Sequence, residues 1–264
     1  MATSAIGKAG APVPLPHRLA TNRVLVVGGS SGIGLAAAGL LVGLGAQVTV
    51  TAREGSRAED AAGRLAELAP AQDGRPAAAV AAAVVDVTDP ASVEQLFAQV
   101  GDLEHVFVSA ATVAAGPLAG PLPDAEANFL TRVLGGYLVA RAAAPRLPAG
   151  GSITFTSGIF VDRPAAGTAL VAASLGAIEA MTRALALELA PVRVNCVRPG
   201  NTDTPLFRGF VGASPHADLR EIGAPMPLGR VGAADEVAAA ALFLMANTYA
   251  TGSVVTVDGG VSVA

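Results

Sequence analysis

A chain of 264 residues with 52% hydrophobic and 14% charged residues carries enough apolar side chain for a stable core, which excludes a disordered protein. The formal net charge is −4 and no segment concentrates Lys or Arg, which argues against a phosphate-neutralising surface for nucleic acid. A single cysteine, Cys196, excludes an internal disulfide and fits a reducing cytoplasm, and His17, His105 and His216 lack the spacing of metal ligands.

Residues 1–20 are rich in Ala and Pro without an apolar core. They read as a mobile arm and not as a secretory signal. Residues 21–264 read as one domain without repeat or linker. The most apolar stretch, residues 32–50, is interrupted at Gly45-Ala46-Gln47, so a buried helix followed by a strand is expected there and not a membrane span.

Short β-branched runs at residues 23–28, 47–52, 80–86, 104–110, 151–157, 192–197 and 253–257 predict strands. Ala/Leu runs of helical period fill intervals between them, among them residues 32–44, 89–100, 124–144, 170–190 and 233–246. This alternation predicts an α/β fold, a doubly wound parallel sheet of about seven strands with helices on both faces. Most strands are apolar throughout, as strands covered on both faces are. Residues 203–227 break the rhythm with Pro and Gly. An insertion beyond a strand's carboxyl end is placed to cover a ligand crevice.

The segment Gly28-Gly29-Ser30-Ser31-Gly32-Ile33-Gly34 follows the first predicted strand and opens the first predicted helix. Glycines let such a turn approach a pyrophosphate, and the helix start supplies free amides and the positive end of its dipole. This is the local signature of a Rossmann-type dinucleotide site. The next strand ends at Thr51-Ala52-Arg53, with no carboxylate to accept from a ribose 2′-hydroxyl. A guanidinium suits a 2′-phosphate instead. An arginine there also fits a solvated loop, but beside a phosphate-binding turn the pattern favours NADP(H).

From Asn22 to the C-terminus the chain resembles the short-chain dehydrogenase/reductase family. Gly28, Gly32 and Gly34 match its glycine turn, with Val27 where the family has Thr. Asp86-Val87 is similar to the pair that contacts adenine in that family. Pro199, Gly200, Thr202 and Thr204 lie in a segment similar to the one that holds the nicotinamide carboxamide and phosphates. Residues 251–260 resemble its closing strand. The resemblance implies a carbonyl or alcohol as small-molecule substrate and a homodimer or homotetramer, with no membrane partner.

It also implies a catalytic Asn, Ser, Tyr and Lys, and here the chain departs. Ser157 stands in the serine position, but alignment through Ala184-Leu185-Ala186 puts Val171 at the tyrosine and Leu175 at the lysine. The asparagine position becomes Arg132, and the Asn-Asn-Ala-Gly after the fourth strand becomes Ser109-Ala110-Ala111-Thr112. The one lysine is Lys8 and the two tyrosines are Tyr137 and Tyr249, so no shift of alignment restores the pair. Arg132, on a stripe with Phe129, Val133, Gly136 and Ala140, is expected to turn inward and return a cation to the nicotinamide ribose. The competing expectation is an arginine that snorkels to solvent. Tyr137 is expected in core or interface, His216 in solvent, and Asp162 with Arg163 as a loop pair.

Three functions follow: an oxidoreductase using Ser157 and Arg132 without the Tyr/Lys pair, a catalytically silent NADP(H)-binding protein, and a non-redox dehydratase or cyclase. The intact cofactor motifs argue against the third and do not separate the first two; the first is preferred because the crevice-covering insertion is retained.

Overall fold

Alternate residues of a strand point to opposite faces, and the first strand shows why its run is apolar throughout. Val24 and Val26 enter one core cluster and Leu25 and Val27 the other, on opposite sides of a sheet. The computed structural model describes residues 18–69, 79–119, 125–212, 214, 216 and 218–264. The expected N-terminal arm lies almost wholly outside them.

The sheet has seven strands in the order β3-β2-β1-β4-β5-β6-β7, all parallel. They are β1 Arg23–Val27, β2 Gln47–Ala52, β3 Val80–Val84, β4 His105–Val108, β5 Ser152–Thr156, β6 Arg193–Pro199 and β7 Val254–Val257. Helices α1 Gly32–Gly43, α2 Gly55–Ala66 and α8 Ala234–Ala246 contribute to the core on one face. On the other lie α3 Pro90–Val100, α5 Gly135–Ala143 and α6 Ala169–Glu188. This is the expected doubly wound fold. The strand order reverses between β1 and β4, so loops beyond those carboxyl ends diverge and leave a crevice.

Two expectations need correction. β3 is an edge strand, exposed at Ala81, Ala82 and Val84, and it ends at Val84 short of Asp86. The helix expected as continuous over residues 124–144 starts, within the described residues, as α4 Ala125–Phe129, passes through a π-helical turn Leu130–Leu134, and continues as α5. A π turn inserts one residue into the helical period. Of the expected stripe Arg132, Gly136 and Ala140 are buried, joined by Gly135, Val139 and Ala143, while Phe129 is exposed and Val133 half-buried. Gly135 permits this approach, because a Cβ there would lie 2.7 Å from the Val87 side chain.

α6 is long and apolar enough to cross a membrane by length and hydropathy. Its buried face packs on the sheet side and carries Ser174, Glu179 and Thr182. Its outer face leaves Leu170, Ala173, Ala180, Ala184 and Leu187 exposed, and Leu134 and Tyr137 are exposed on the π turn and α5. Far from the crevice, the N-terminal ends of β4, β5 and β6 carry a buried polar group. Arg193 donates to the carbonyls of Leu244, Met245, Asn247, Ala250 and Gly150. His105 bonds Asn22 at 3.0 Å and Ser152 at 2.8 Å.

Candidate active site

The glycine turn between β1 and α1 is built to admit a phosphate. Gly28 has φ +82°, and a Cβ on it would lie 2.6 Å from the Ala110 amide nitrogen. A Cβ on Gly34 would lie 2.2 Å from the Gly28 carbonyl. No larger residue fits either position. Ser31 precedes α1 without capping it by its side chain, and the first turn contains no acid. The amides and dipole at this helix start are thus left to an anion. These features fit a dinucleotide pyrophosphate.

A crevice of about 740 Å³ opens at the carboxyl ends of the strands. Every cofactor residue expected from sequence other than Gly34 lines it: Gly28, Ser30, Ser31, Gly32, Ile33, Arg53, Asp86, Val87, Pro199, Gly200, Thr202 and Thr204. Gly34 lies behind the turn, where it permits the tight packing against Gly28. Asp86 is ordered by Thr88, whose hydroxyl and amide both donate to its Oδ1 at 2.7 and 2.9 Å. Those bonds, with the Arg53 charge, hold its carboxyl below the ordinary range against the opposing effect of burial. Thr202 and Thr204 donate their hydroxyls to Gly200 and Thr202 carbonyls. Their side chains thereby shape the loop. Arg57, which the sequence reading passed over, lies on the same wall as Arg53 and pairs with Glu54 at 3.5 Å.

At the other end the lining is Arg132, Thr156, Ser157, Ile159, Phe160, Val171 and Leu175, with Leu206 and Phe210 from α7 Pro205–Phe210. Phe160 and Phe210 pack with ring centroids 5.4 Å apart. The first part of the insertion thus faces the crevice, whereas His216 is exposed in a turn beyond it. Val171 and Leu175 are buried and offer no proton or charge.

Arg132 points inward with 6% exposure. Its Nη1 donates to the Thr156 carbonyl at 3.2 Å, and its buried Nε has no partner. Among the described residues no carboxylate lies within ion-pair distance of it. Burial lowers its pKa to about 10, which leaves it charged at neutral pH. Cys196, beneath it, has a thiol raised to about 12 by burial first and by Glu179 second. That rules it out as a thiolate nucleophile near neutrality.

Ser157 is 4% exposed, and its hydroxyl is committed. It donates to Glu179 Oε1 at 2.5 Å. Glu179 in turn accepts from Arg198 Nε at 2.7 Å and Nη2 at 2.6 Å, and Arg198 Nη1 reaches Asp162. Asp162 therefore pairs with Arg198 across the site and not with its neighbour Arg163. A signal for Glu179 was present in the sequence. It is an acid one turn beyond Leu175 on the same face of an apolar helix, where a buried charge demands a partner.

Comparison with known proteins shows the family. A family model described as enoyl-(acyl carrier protein) reductase matches residues 27–262. A short-chain dehydrogenase/reductase of Stachybotrys chlorohalonatus is 36% identical over 250 residues, covering 90% of this chain and 95% of that protein. The chain belongs to the short-chain dehydrogenase/reductase family. Members of this family are oxidoreductases that bind a nicotinamide cofactor. Among solved structures, a small-chain dehydrogenase in complex with NADPH is similar at 32% identity and a TM-score of 0.75, covering 92% of this chain and all of that one. The MalC reductase/Diels-Alderase of Malbranchea aurantiaca has a TM-score of 0.82 at 28% identity, covering 93% of this chain and 98% of that one.

Proposed function

We propose that this member of the family is an NADP(H)-dependent oxidoreductase that interconverts an apolar alcohol and its carbonyl compound without a Tyr/Lys pair, using Arg132 as the cation of the site. The observation that carries this reading is the Arg132 guanidinium. It is buried, charged and unpaired by any carboxylate among the described residues, on the wall where Val171 and Leu175 replace the expected groups. An interior charge without a counter-charge is costly, and a lining position lets bound groups supply the missing acceptors.

Bound NADP(H) supplies or accepts the hydride. Arg132 would donate to ribose hydroxyls and to the oxygen that gains negative charge during reduction, and water admitted at the crevice mouth would supply the proton that completes the alcohol, or take it up in the reverse direction. Ile159, Phe160, Leu206 and Phe210 hold an apolar skeleton. The test joins NADPH calorimetry with absorbance assays against a panel of carbonyls and alcohols. Turnover supports the reading, and failure to bind NADPH overturns it. Binding without turnover favours a silent NADP(H)-binding protein, the reading that the buried, inert Val171 and Leu175 support. The name of the Malbranchea relative joins reductase and Diels-Alderase activities, so ring formation without redox change is the third outcome to assay.

Arg53 and the absent carboxylate at Ala52 support NADP(H) over NAD(H). Arg53→Ala is expected to weaken NADPH binding about tenfold, the worth of one charged hydrogen bond in an exposed setting, and to leave NADH nearly unchanged. Paired calorimetric titrations check this; equal loss for both cofactors would remove Arg53 from the 2′-phosphate.

The exposed apolar faces of α5 and α6 support self-association, and we expect a dimer or tetramer cytoplasmic in location. Light scattering at micromolar concentration tests the assembly, and a strictly monomeric mass would contradict it.

A further inference from the structure

We infer that Ser157 meets the substrate as a hydrogen-bond acceptor, locked in that role by Glu179 and Arg198, so that the group bound there is the hydroxyl of a neutral, apolar alcohol. This deepens the oxidoreductase reading by naming the form of the substrate that the resting site selects.

Arg198 donates to both oxygens of Glu179, and a carboxylate held in such a fork offers acceptors alone. The 2.5 Å contact between Ser157 Oγ and Glu179 Oε1 therefore contains the serine's single proton. Ser157 then has no hydrogen left to donate to a carbonyl oxygen in the crevice. It presents lone pairs. Arg198 cannot easily turn away, because Asp162 holds its other end, and Glu179 is sealed beneath the crevice at 3% exposure.

The neighbouring charge selects among donors. Arg132 bonds the carbonyl of Thr156, the residue before Ser157, and brings a positive charge to the same wall. A protonated amine at Ser157 would meet that charge, whereas a neutral hydroxyl suits both side chains. Its oxygen accepts from Arg132 and its proton goes to Ser157. A ketone oxygen satisfies Arg132 but faces the serine's lone pairs. An ether has the same defect. Around these two groups the wall is Ile159, Phe160, Val171, Leu175 and Phe210, which fits a hydrocarbon skeleton. Glu179 and Arg198 are positioning residues in this scheme, since neither lines the crevice.

Three matched bicyclic probes test it without a known substrate: 1-tetralol, 1-tetralone and 1-methoxytetralin, titrated calorimetrically into the NADP(H)-free protein. In the wild type the alcohol is expected to bind about tenfold more tightly than ketone or ether, the usual effect of one unpaired polar contact. Ser157→Ala is expected to level the three. Glu179→Gln, whose amide can donate to Ser157 and release the serine proton, is expected to move the preference towards the ketone. Melting curves establish that each variant is folded, and Ser157→Ala leaves the Glu179–Arg198 pair intact should Glu179→Gln fail to fold. Equal or tighter ketone binding in the wild type, an alcohol preference that survives Ser157→Ala, or no binding of any probe overturns the inference. The outcome is separable from that of the oxidoreductase reading. Alcohol preference without turnover of any panel compound sinks only the latter, and ketone reduction with tighter ketone binding sinks only the former.

Discussion

Arg132→Ala is expected to weaken NADP(H) binding and to reduce turnover by roughly 10²–10³-fold, the loss usual for a single preorganised donor to developing charge. The physical basis is the local ledger of Arg132. It is buried, and among the described residues its Nε is unpartnered and its one hydrogen bond goes to a backbone carbonyl. A group so poorly compensated stabilises little in the ligand-free protein, and its cost is recovered when a ligand arrives. The volume-conserving Arg132→Met separates this role from a structural one. Replacing an uncompensated buried charge by an apolar chain is neutral or stabilising, so its melting temperature is expected to equal or exceed that of the wild type while turnover falls. A lowered melting temperature with cofactor affinity intact would make Arg132 a structural residue. Leu175→Lys is expected not to improve activity, because it sets a second cation beside the first. It becomes informative in the Arg132→Ala background, where the crowding is gone.

The fold was legible because its signals are local and repeated. Apolar runs alternate with helical stretches, and the glycine turn between Val27 and Ile33 lies where the first strand must give way to the first helix. Of the proposed cofactor wall, the glycine turn and Arg53 were legible from local pattern, whereas Asp86, Val87 and the segment from Pro199 to Thr204 were legible through the family resemblance alone. The π turn at Leu130–Leu134 was hidden, because a single extra residue in a helix leaves no compositional mark. The Ser157–Glu179–Arg198–Asp162 chain was hidden for a different reason. Glu179 alone left a signal, but its partners did not, because the members come from the loop after β5, α6 and β6 and their separation in sequence carries no spacing rule. Tertiary packing alone brings them together.

Acid is expected to destabilise the protein well above the carboxylate range, through His105 at the end of the sheet remote from the crevice. Burial first, and the Arg193 charge second, lower the His105 pKa from 6.5 to about 4. The hydrogen bonds agree with a neutral ring. The Asn22 amide donates to Nε2, so Nδ1 carries the proton and donates to Ser152 Oγ. Between the two pKa values the unfolded chain binds a proton at this residue and the folded chain does not. Stability therefore falls as pH drops below 6.5, and the loss is complete near pH 4. At 1.36 kcal/mol per pH unit the whole interval corresponds to about 3 kcal/mol, of which about 2 kcal/mol is gone by pH 5. Against a total stability of roughly 5–15 kcal/mol that is a large share. The strongly depressed carboxyl of Glu236, tied to Arg230 and the Ala233 amide with a pKa of about 2, works in a different window. Its contribution is held above about 4.5 and lost as pH falls towards 2, so unfolding measurements between pH 7.5 and 5 isolate the histidine. Urea unfolding of wild type and His105→Gln across that interval supplies the comparison. The variant is expected to start less stable, having lost ring hydrogen bonds, and to show a nearly flat profile where the wild type declines. Parallel slopes in the two proteins would place the acid sensitivity elsewhere.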